Sequence, residues 1–346
     1  MGPEKHIRGL IEGGGPIPFS RFMEEALYHP ELGYYSTGRP FKARGDFYTG
    51  PSLHPIFGWT IARFLVSRDS PRAILEIGPG KGFLASDILD YLSSRHPELY
   101  QETRYLILEK SPALRAQQER LLSSHAGHTE WLDSLPQSFS GVILANEVLD
   151  AFAFDRFVRE KLGWSMMMVA LGDPFAWTTG PARGDALAFL PKNAPEGFIY
   201  DLSVEALSFL SDCASSLDSG YMLVIDYGYP REIILSSYPQ GTLTCYYRHT
   251  VSDDPFLRVG EQDITCFLDW DLVREAAARA GLREELFVSQ AEFLMSSGIH
   301  DVLSGMETAH SSLEIMKARL AAKNLLLTFK NYRVALWGKQ RSANRA

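Results

Sequence analysis

The sequence predicts an α/β fold, a parallel sheet covered by helices on both faces. Three observations carry this. Four segments are short, continuous apolar runs: "AILEIG" (73–78), "YLILEKS" (105–111), "GVILANEVLD" (141–150) and "YMLVIDYGY" (221–229). They lack the apolar–polar alternation of a sheet with one wet face, so both faces are expected to be buried. Between them lie helical patterns, "FLASDILDYLSSR" (83–95), "PALRAQQERLLSS" (112–124) and "SVEALSFLSDCASSL" (203–217), an alternation that implies crossover connections. A turn with three glycines follows the first run, where open α/β sheets bind ligands.

Taken in order, residues 19–29 place Phe19, Phe22, Met23, Ala26 and Leu27 at helical spacing. The stretch 29–58 is dense in Gly, Pro and Tyr, and a long irregular segment of this kind is usually functional or a lid. A helix is expected from Trp59 to Val66. In the alternating region, Pro112 stands at a helix start and Ser203 is a candidate N-cap. Residues 154–200 break the rhythm, with "FDRFVREKLGWSMMMVALG" reading as a β-hairpin that turns at Lys161–Gly163. Then "DWDLVREAAARAG" reads as a helix capped by Asp269 and closed by Gly281. The stretch "EELFVSQAEFLMSSG" (284–298) reads as mostly helical, and "NYRVALWGK" (331–339) as a strand.

The bulk properties exclude several classes of function. The chain has 346 residues, 45% hydrophobic, enough for one large domain with insertions or for two. Its net charge of −8 with no long basic run argues against nucleic acid as partner and is compatible with a basic protein partner. Cys213, Cys245 and Cys266 are far apart, with neither C-x-x-C nor zinc spacing, so buried packing in a reducing compartment is the preferred reading. No run reaches membrane-spanning length, and "MGPEKHIRGLIEGG" carries neither an apolar h-region nor an Arg/Ser-rich presequence. A cytoplasmic protein, bacterial rather than mitochondrial, is therefore expected. A homodimer is left open.

The glycine turn narrows the ligand. Gly78, Gly80 and Gly82 give G-x-G-x-G, and Phe83 stands where the dinucleotide pattern G-x-G-x-x-G has its third glycine, so the spacing fails the pyrophosphate pattern there. No G-K-[ST] follows, which excludes a phosphate-binding P-loop. Glu76, just before the turn, would repel a phosphate and suit a cationic amine. S-adenosylmethionine has that chemistry: an ammonium, a sulfonium, a ribose and an adenine, without phosphate. Gly78 and Gly80 would let the backbone approach it. Glu109 ends the next strand, where a carboxylate can accept both ribose hydroxyls. Trp131 or Leu132 would cover the adenine, and Asp133 would accept from its amine.

Asn146 and Glu147 end a further strand on the same edge, with Asp150 three residues on. Methyl transfer from a sulfonium needs positioning and exclusion of water more than covalent help. A guanidinium acceptor also needs carboxylates to localise its charge and take a proton. Glu147, Asp150 and Asn146 are therefore the catalytic candidates, with Asp150 as a capping residue and Glu147 as a solvated strand end the alternatives. Asp226 would orient substrate or stabilise loops. The 246–273 stretch carries His249, Asp253, Asp263, Thr265 and Asp269 without metal-ligand spacing, so no metal is expected.

Together these motifs resemble the MidA-like methyltransferases, a family that includes the mitochondrial assembly-factor methyltransferase of respiratory complex I. The resemblance runs almost end to end, through "MEEALYHPELGYY", "GDFYTGP", "LEIGPGKG", "ILANEVLDAF", "IDYGY", "GTLTCYYRHTVSDDP", "GEQDITCFLDW" and "SQAEFLMSSGI". It implies a class I, Rossmann-like core with S-adenosylmethionine as cofactor. It also implies a protein arginine as acceptor, as in the characterised eukaryotic member. It brings Asp46, Phe47, Thr49 and Ser52 beside the cofactor. The chain departs at "PSLH" (51–54), where the family has "PEIS", and at "WSMMMV" (164–169), where an acid-bearing sequence is usual.

The expected organisation is an N-terminal helical and loop lid (1–68), a cofactor-binding half of the core (69–150), a β-hairpin insertion (151–200), and the rest of the core with a helical C-terminal region (201–346). The expected activity is N-methylation of a protein arginine. Methylation of a small molecule, or a cofactor-binding assembly protein with little turnover, are the alternatives.

Overall fold

The computed structural model describes residues 2–35, 50–68, 72–182, 184–248, 250–306 and 311–340. Asp46, Phe47, Thr49 and His249 lie outside the described residues. The chain divides into two units. One comprises Tyr48–Val148, Leu210–Tyr227 and Ala276–Ala346; the other Met1–Phe47, Leu149–Phe209 and Gly228–Glu275.

The first unit is built on seven strands: β1 (Ala73–Ile77), β2 (Arg104–Leu108), β3 (Thr129–Leu132), β4 (Phe139–Asn146), β5 (Leu217–Tyr229), β6 (Arg283–Ser289) and β7 (Tyr332–Lys339). Their order across the sheet is β6-β7-β5-β4-β1-β2-β3. The pairs β5–β4, β4–β1, β1–β2 and β2–β3 are parallel, and β7 runs antiparallel to both its neighbours. The order reverses between β1 and β4, which makes the C-terminal ends of β1, β2 and β4 the edge where such sheets bind ligands. The continuous apolar runs account for the burial. Ile74, Tyr105, Ile107, Leu144 and Ile225 pack with Ile61 of helix α1 (Ile56–Ser67) and Leu84 and Ile88 of helix α2 (Phe83–Arg95). Each such fully buried side chain contributes about 1.5–3 kcal/mol.

One expectation changes here, and one left open is answered. Residues 284–298 are not mostly helical. Their first part is β6, and only Gln290–Ser296 is helix. The run Leu286-Phe287-Val288 favours a strand, and Ser289 starts the helix through a capping box with Glu292. The turn before β7 also sends the last strand back antiparallel, a direction that periodicity alone does not specify.

The other unit holds a five-stranded antiparallel sheet. Asp155–Glu160 and Gly163–Leu171 form its central hairpin, closed between Glu160 and Gly163. Ile17–Pro18, Phe175–Pro181 and Ile199–Leu202 complete it. Phe19, Phe22, Met23, Ala26 and Leu27, read at helical spacing, are fully buried with Phe154, Val169 and Phe256. Their backbone tightens into α-helix over Phe19–Met23 and opens into π-helix over Glu24–Tyr28. Asp269 accepts the amide of Leu272 at 3.0 Å and so caps the helix Trp270–Arg279. Ser203 caps the helix Val204–Ser216 by accepting the Ala206 amide at 3.1 Å. Among the described residues no helix is long and apolar enough to cross a membrane. All three cysteines are buried and free.

Candidate active site

The turn after β1 is left-handed at each glycine: φ is 57° at Gly78, 56° at Gly80 and 86° at Gly82. The amide of Gly78 donates to Leu108 O at the end of β2, at 3.0 Å. Among the described residues, a Cβ built on Gly80 meets nothing within 4 Å, and one on Gly78 meets only Val148. The turn therefore leaves open space above its backbone, as a ligand resting on peptide groups requires.

Glu76 does not face that space as a free carboxylate. It is 2% exposed and accepts the Tyr105 hydroxyl at 2.7 Å. Burial pushes its pKa up to about 8, the Tyr105 hydrogen bond opposing and Glu109 adding. Asp87 on α2 is likewise buried, and burial, with Asp90 and Glu76, lifts it to about 8.

Glu109 follows β2. Its Oε1 accepts the Ser111 amide at 2.8 Å and its Oε2 the Gln118 amide nitrogen at 3.0 Å. Burial raises its pKa, while these hydrogen bonds act the other way. Gln118 lies on helix α3 (Pro112–Leu121) and is fully buried. It also donates to Gly80 O at 2.7 Å and accepts the Trp131 indole N–H at 2.9 Å. Trp131 thus commits its polar edge to the protein interior and packs against the sheet core. Leu132 beside it is half-buried. The Asp133 side chain is 96% exposed and pairs with Arg115 at 3.3 Å.

At the end of β4, Glu147 is a non-glycine residue at φ 53°. Its amide donates to Ile225 O at 2.8 Å. Its carboxylate accepts the Tyr332 hydroxyl at 3.2 Å and the Asn146 amide nitrogen at 3.4 Å. Among the described residues, the Asn146 Oδ1 is buried with no hydrogen-bond partner. The Tyr227 and Tyr332 rings lie 5.3 Å apart. Asp226 is fully buried at the end of β5, and its Oδ1 accepts the amide of Tyr227. Together these form a second polar cluster on the ligand-binding edge, made of acceptors and aromatic walls.

The remaining candidates are separate. Asp150 belongs to the other unit, where the Thr265 hydroxyl donates to its carbonyl at 3.3 Å. Nearby, Tyr35 donates to Asp263 at 2.7 Å. Burial first, then Asp263, raises the Tyr28 and Tyr35 pKa values well above the usual. Ser52 is exposed in a short helix, Gly50–Leu53. Among the described residues one trio, His6, Glu25 and His29, brings potential metal-ligand atoms together. Its groups are already engaged: His29 Nδ1 accepts two backbone amides, and Glu25 is paired with Arg21 and His6. A bound cation there would compete with the Arg21 guanidinium.

Gln118, Tyr332 and Tyr105 are absent from the sequence-derived set. A signal for Gln118 exists: it lies four residues from Leu114, so the two share the buried face of α3.

The profile of an S-adenosyl-L-methionine-dependent methyltransferase family matches residues 58–288. A Burkholderia thailandensis protein bound to S-adenosyl-homocysteine is 32% identical, with a TM-score of 0.87, over 99% of this chain and 92% of that one. Among curated proteins, the Drosophila melanogaster mitochondrial protein arginine methyltransferase NDUFAF7 homolog is 28% identical over 80% of this chain and 70% of its own. The Danio rerio mitochondrial protein arginine methyltransferase NDUFAF7 is 27% identical over 85% and 76%.

Proposed function

The chain belongs to the MidA-like S-adenosylmethionine-dependent methyltransferases, and from that premise we propose that it N-methylates an arginine of a protein substrate. The observation that carries the acceptor is the cluster at the end of β4. Glu147 and Asn146 offer side by side a carboxylate and a buried amide oxygen that has no partner among the described residues. Two acceptors suit a nitrogen nucleophile that bears N–H groups, and a guanidinium has five. The naming of relatives at 27–28% identity as protein arginine methyltransferases supports the same reading.

In this reading the open turn at Gly78 and Gly80 and the Glu109 carboxylate hold the cofactor, with Trp131, Leu132 and Asp133 assigned to the adenine side. Bound there, the cofactor supplies a methyl group activated by its sulfonium. Glu147 then has two tasks. Its carboxylate holds one edge of the guanidinium and fixes the attacking nitrogen. It also accepts the proton that this nitrogen must lose. Tyr332 restrains Glu147 through its hydroxyl, and Asn146 Oδ1 takes a second N–H. The Tyr227 and Tyr332 rings keep the nitrogen dry and offer π-faces to its charge.

The test is to incubate methyl-labelled cofactor with the protein and a bacterial extract, then hydrolyse the labelled material. Methylarginine from a protein band is expected. Label in the small-molecule fraction, or none despite saturable cofactor binding, would overturn the acceptor assignment.

A further inference from the structure

We propose that Gln118 is the positioning residue of the cofactor pocket: one buried carboxamide that holds the glycine turn, Glu109 and Trp131 in a single arrangement. It rests on the reading of Glu109 as the ribose acceptor.

Three elements that are remote in sequence meet at this side chain. Its Nε2 donates to Gly80 O at 2.7 Å and to Glu109 Oε2 at 3.0 Å. Its Oε1 accepts from Trp131 Nε1 at 2.9 Å. Both amide protons are thereby used, and the side chain is 0% exposed. Water is thus excluded as a substitute partner, and a buried network of this kind is rigid only while every member is satisfied. Gly82 packs close enough that a Cβ there would lie 3.2 Å from Gln118 Cγ.

The chemistry selects a neutral amide. A carboxylate at this position would repel Glu109 and the Gly80 carbonyl. An ammonium would neutralise Glu109 and give Trp131 nothing to bond. A glutamine donates twice and accepts once, which is the pattern these three neighbours present.

Gln118 acts on the ribose through Glu109. With Ser111 N–H on Oε1 at 2.8 Å and Gln118 on Oε2, both carboxylate oxygens are held from the protein side. Each oxygen keeps lone-pair capacity for a ligand hydroxyl. Fixing the rotamer in advance removes an ordering cost from binding.

The test uses the full chain, its Gln118→Met and Glu109→Ala variants, and two ligands titrated by calorimetry: S-adenosyl-homocysteine and its 2′,3′-dideoxy analogue. Thermal unfolding without ligand checks the fold of each variant. Gln118→Glu, of the same length but without the two donations, replaces Gln118→Met if the latter does not fold. The parent is expected to favour S-adenosyl-homocysteine over the analogue by about 10-fold or more, as hydroxyls bonded to a charged carboxylate should. In Gln118→Met that preference falls below about 3-fold, with S-adenosyl-homocysteine bound at least about 10-fold more weakly than by the parent. A Gln118→Met protein that keeps the parent's preference overturns the inference, whether its affinity is unchanged or falls equally for both ligands. The latter result marks a merely structural role. If Glu109→Ala keeps the preference, the ribose reading itself is wrong and the inference falls with it. If only Gln118→Met keeps it, the ribose reading stands and the inference alone is lost.

Discussion

The turn after β1 and the end of β4 put their backbones in the same region of conformational space. Gly78 and Gly80 have φ of 57° and 56°, and Glu147 has φ of 53°. At the glycines this conformation carries no steric penalty. At Glu147 the Cβ crowds the carbonyl, at a cost of about 1–2 kcal/mol. The two turns solve different problems. The first needs bare backbone, because a ligand is to lie against it. The second needs a side chain, because a carboxylate is to be held at the strand end beside Asn146. Where glycine would be the easier residue and glutamate stands instead, the strain marks the position where the proposed chemistry needs a functional group.

This comparison can be broken most sharply by Glu147→Gln. The strain and the Tyr332 contact remain while the base is lost. Methyl transfer should fall by about 100-fold or more, and calorimetric affinity for S-adenosyl-homocysteine should stay within about 2-fold of the parent. Normal turnover would remove Glu147 from the chemistry.

The acid just before the first turn offers the next test. Glu76 titrates near 8 in the folded chain against an ordinary value of 4.5, because it is buried. Between these values the folded chain keeps a proton that the unfolded chain has released. Stability therefore falls as pH rises from about 4.5 to 8 and levels off above, with a slope of at most about 1.4 kcal/mol per pH unit from this group. Asp87 acts in the same direction. Glu76→Gln should match the parent near pH 4 in urea unfolding and exceed it progressively towards pH 8. A constant difference across that range would show that Glu76 is not buried as described.

The glycine side is tested by Gly80→Ala. The new methyl has room but must take the left-handed conformation in the space left for the ligand. Affinity for S-adenosyl-homocysteine should drop about 10-fold, alongside a stability loss of about 1 kcal/mol. The finest contrast is between two truncations of Glu147. Glu147→Gly removes the strain with the side chain, whereas Glu147→Ala keeps the strain and loses the contacts. In chemical denaturation the glycine variant should be the more stable by about 1 kcal/mol, with neither transferring methyl. The reverse order would mean that Glu147 is not strained.

The sheet was legible because its strands are apolar runs set between amphipathic helices, and the glycine turn was legible because its spacing excludes phosphates. The ends of β2 and β4 could be located for the same reason. What stayed hidden depends on side-chain direction. Glu76 reads as a ligand group by its place before the turn, and nothing local shows that its carboxylate accepts the Tyr105 hydroxyl. Gln118 stands next to Gln117 in "RAQQER", and only the register of α3 decides which of them is buried. Tyr332 lies 185 residues from Glu147, and no local pattern links the two. Residues 284–289 were misread because a charged start and a following amphipathic helix masked a short strand.

The placement of β7 has a consequence for how the protein is made. This strand, the last among the described residues, is not added at a rim but sits between β5 and β6, bonded to both. A chain emerging from the ribosome presents β6 long before β7, with nothing yet to pair it to β5. Until residue 339 is clear of the exit tunnel the sheet has a gap, and Glu147 lacks its tyrosine. A truncated product would expose two unpaired strand edges, which invite aggregation or proteolysis. Elements β1 to β4, with Asn146 and Glu147 at the end of β4, are complete well before then, so a stalled chain would carry most of the pocket without the Tyr332 hydroxyl that restrains Glu147.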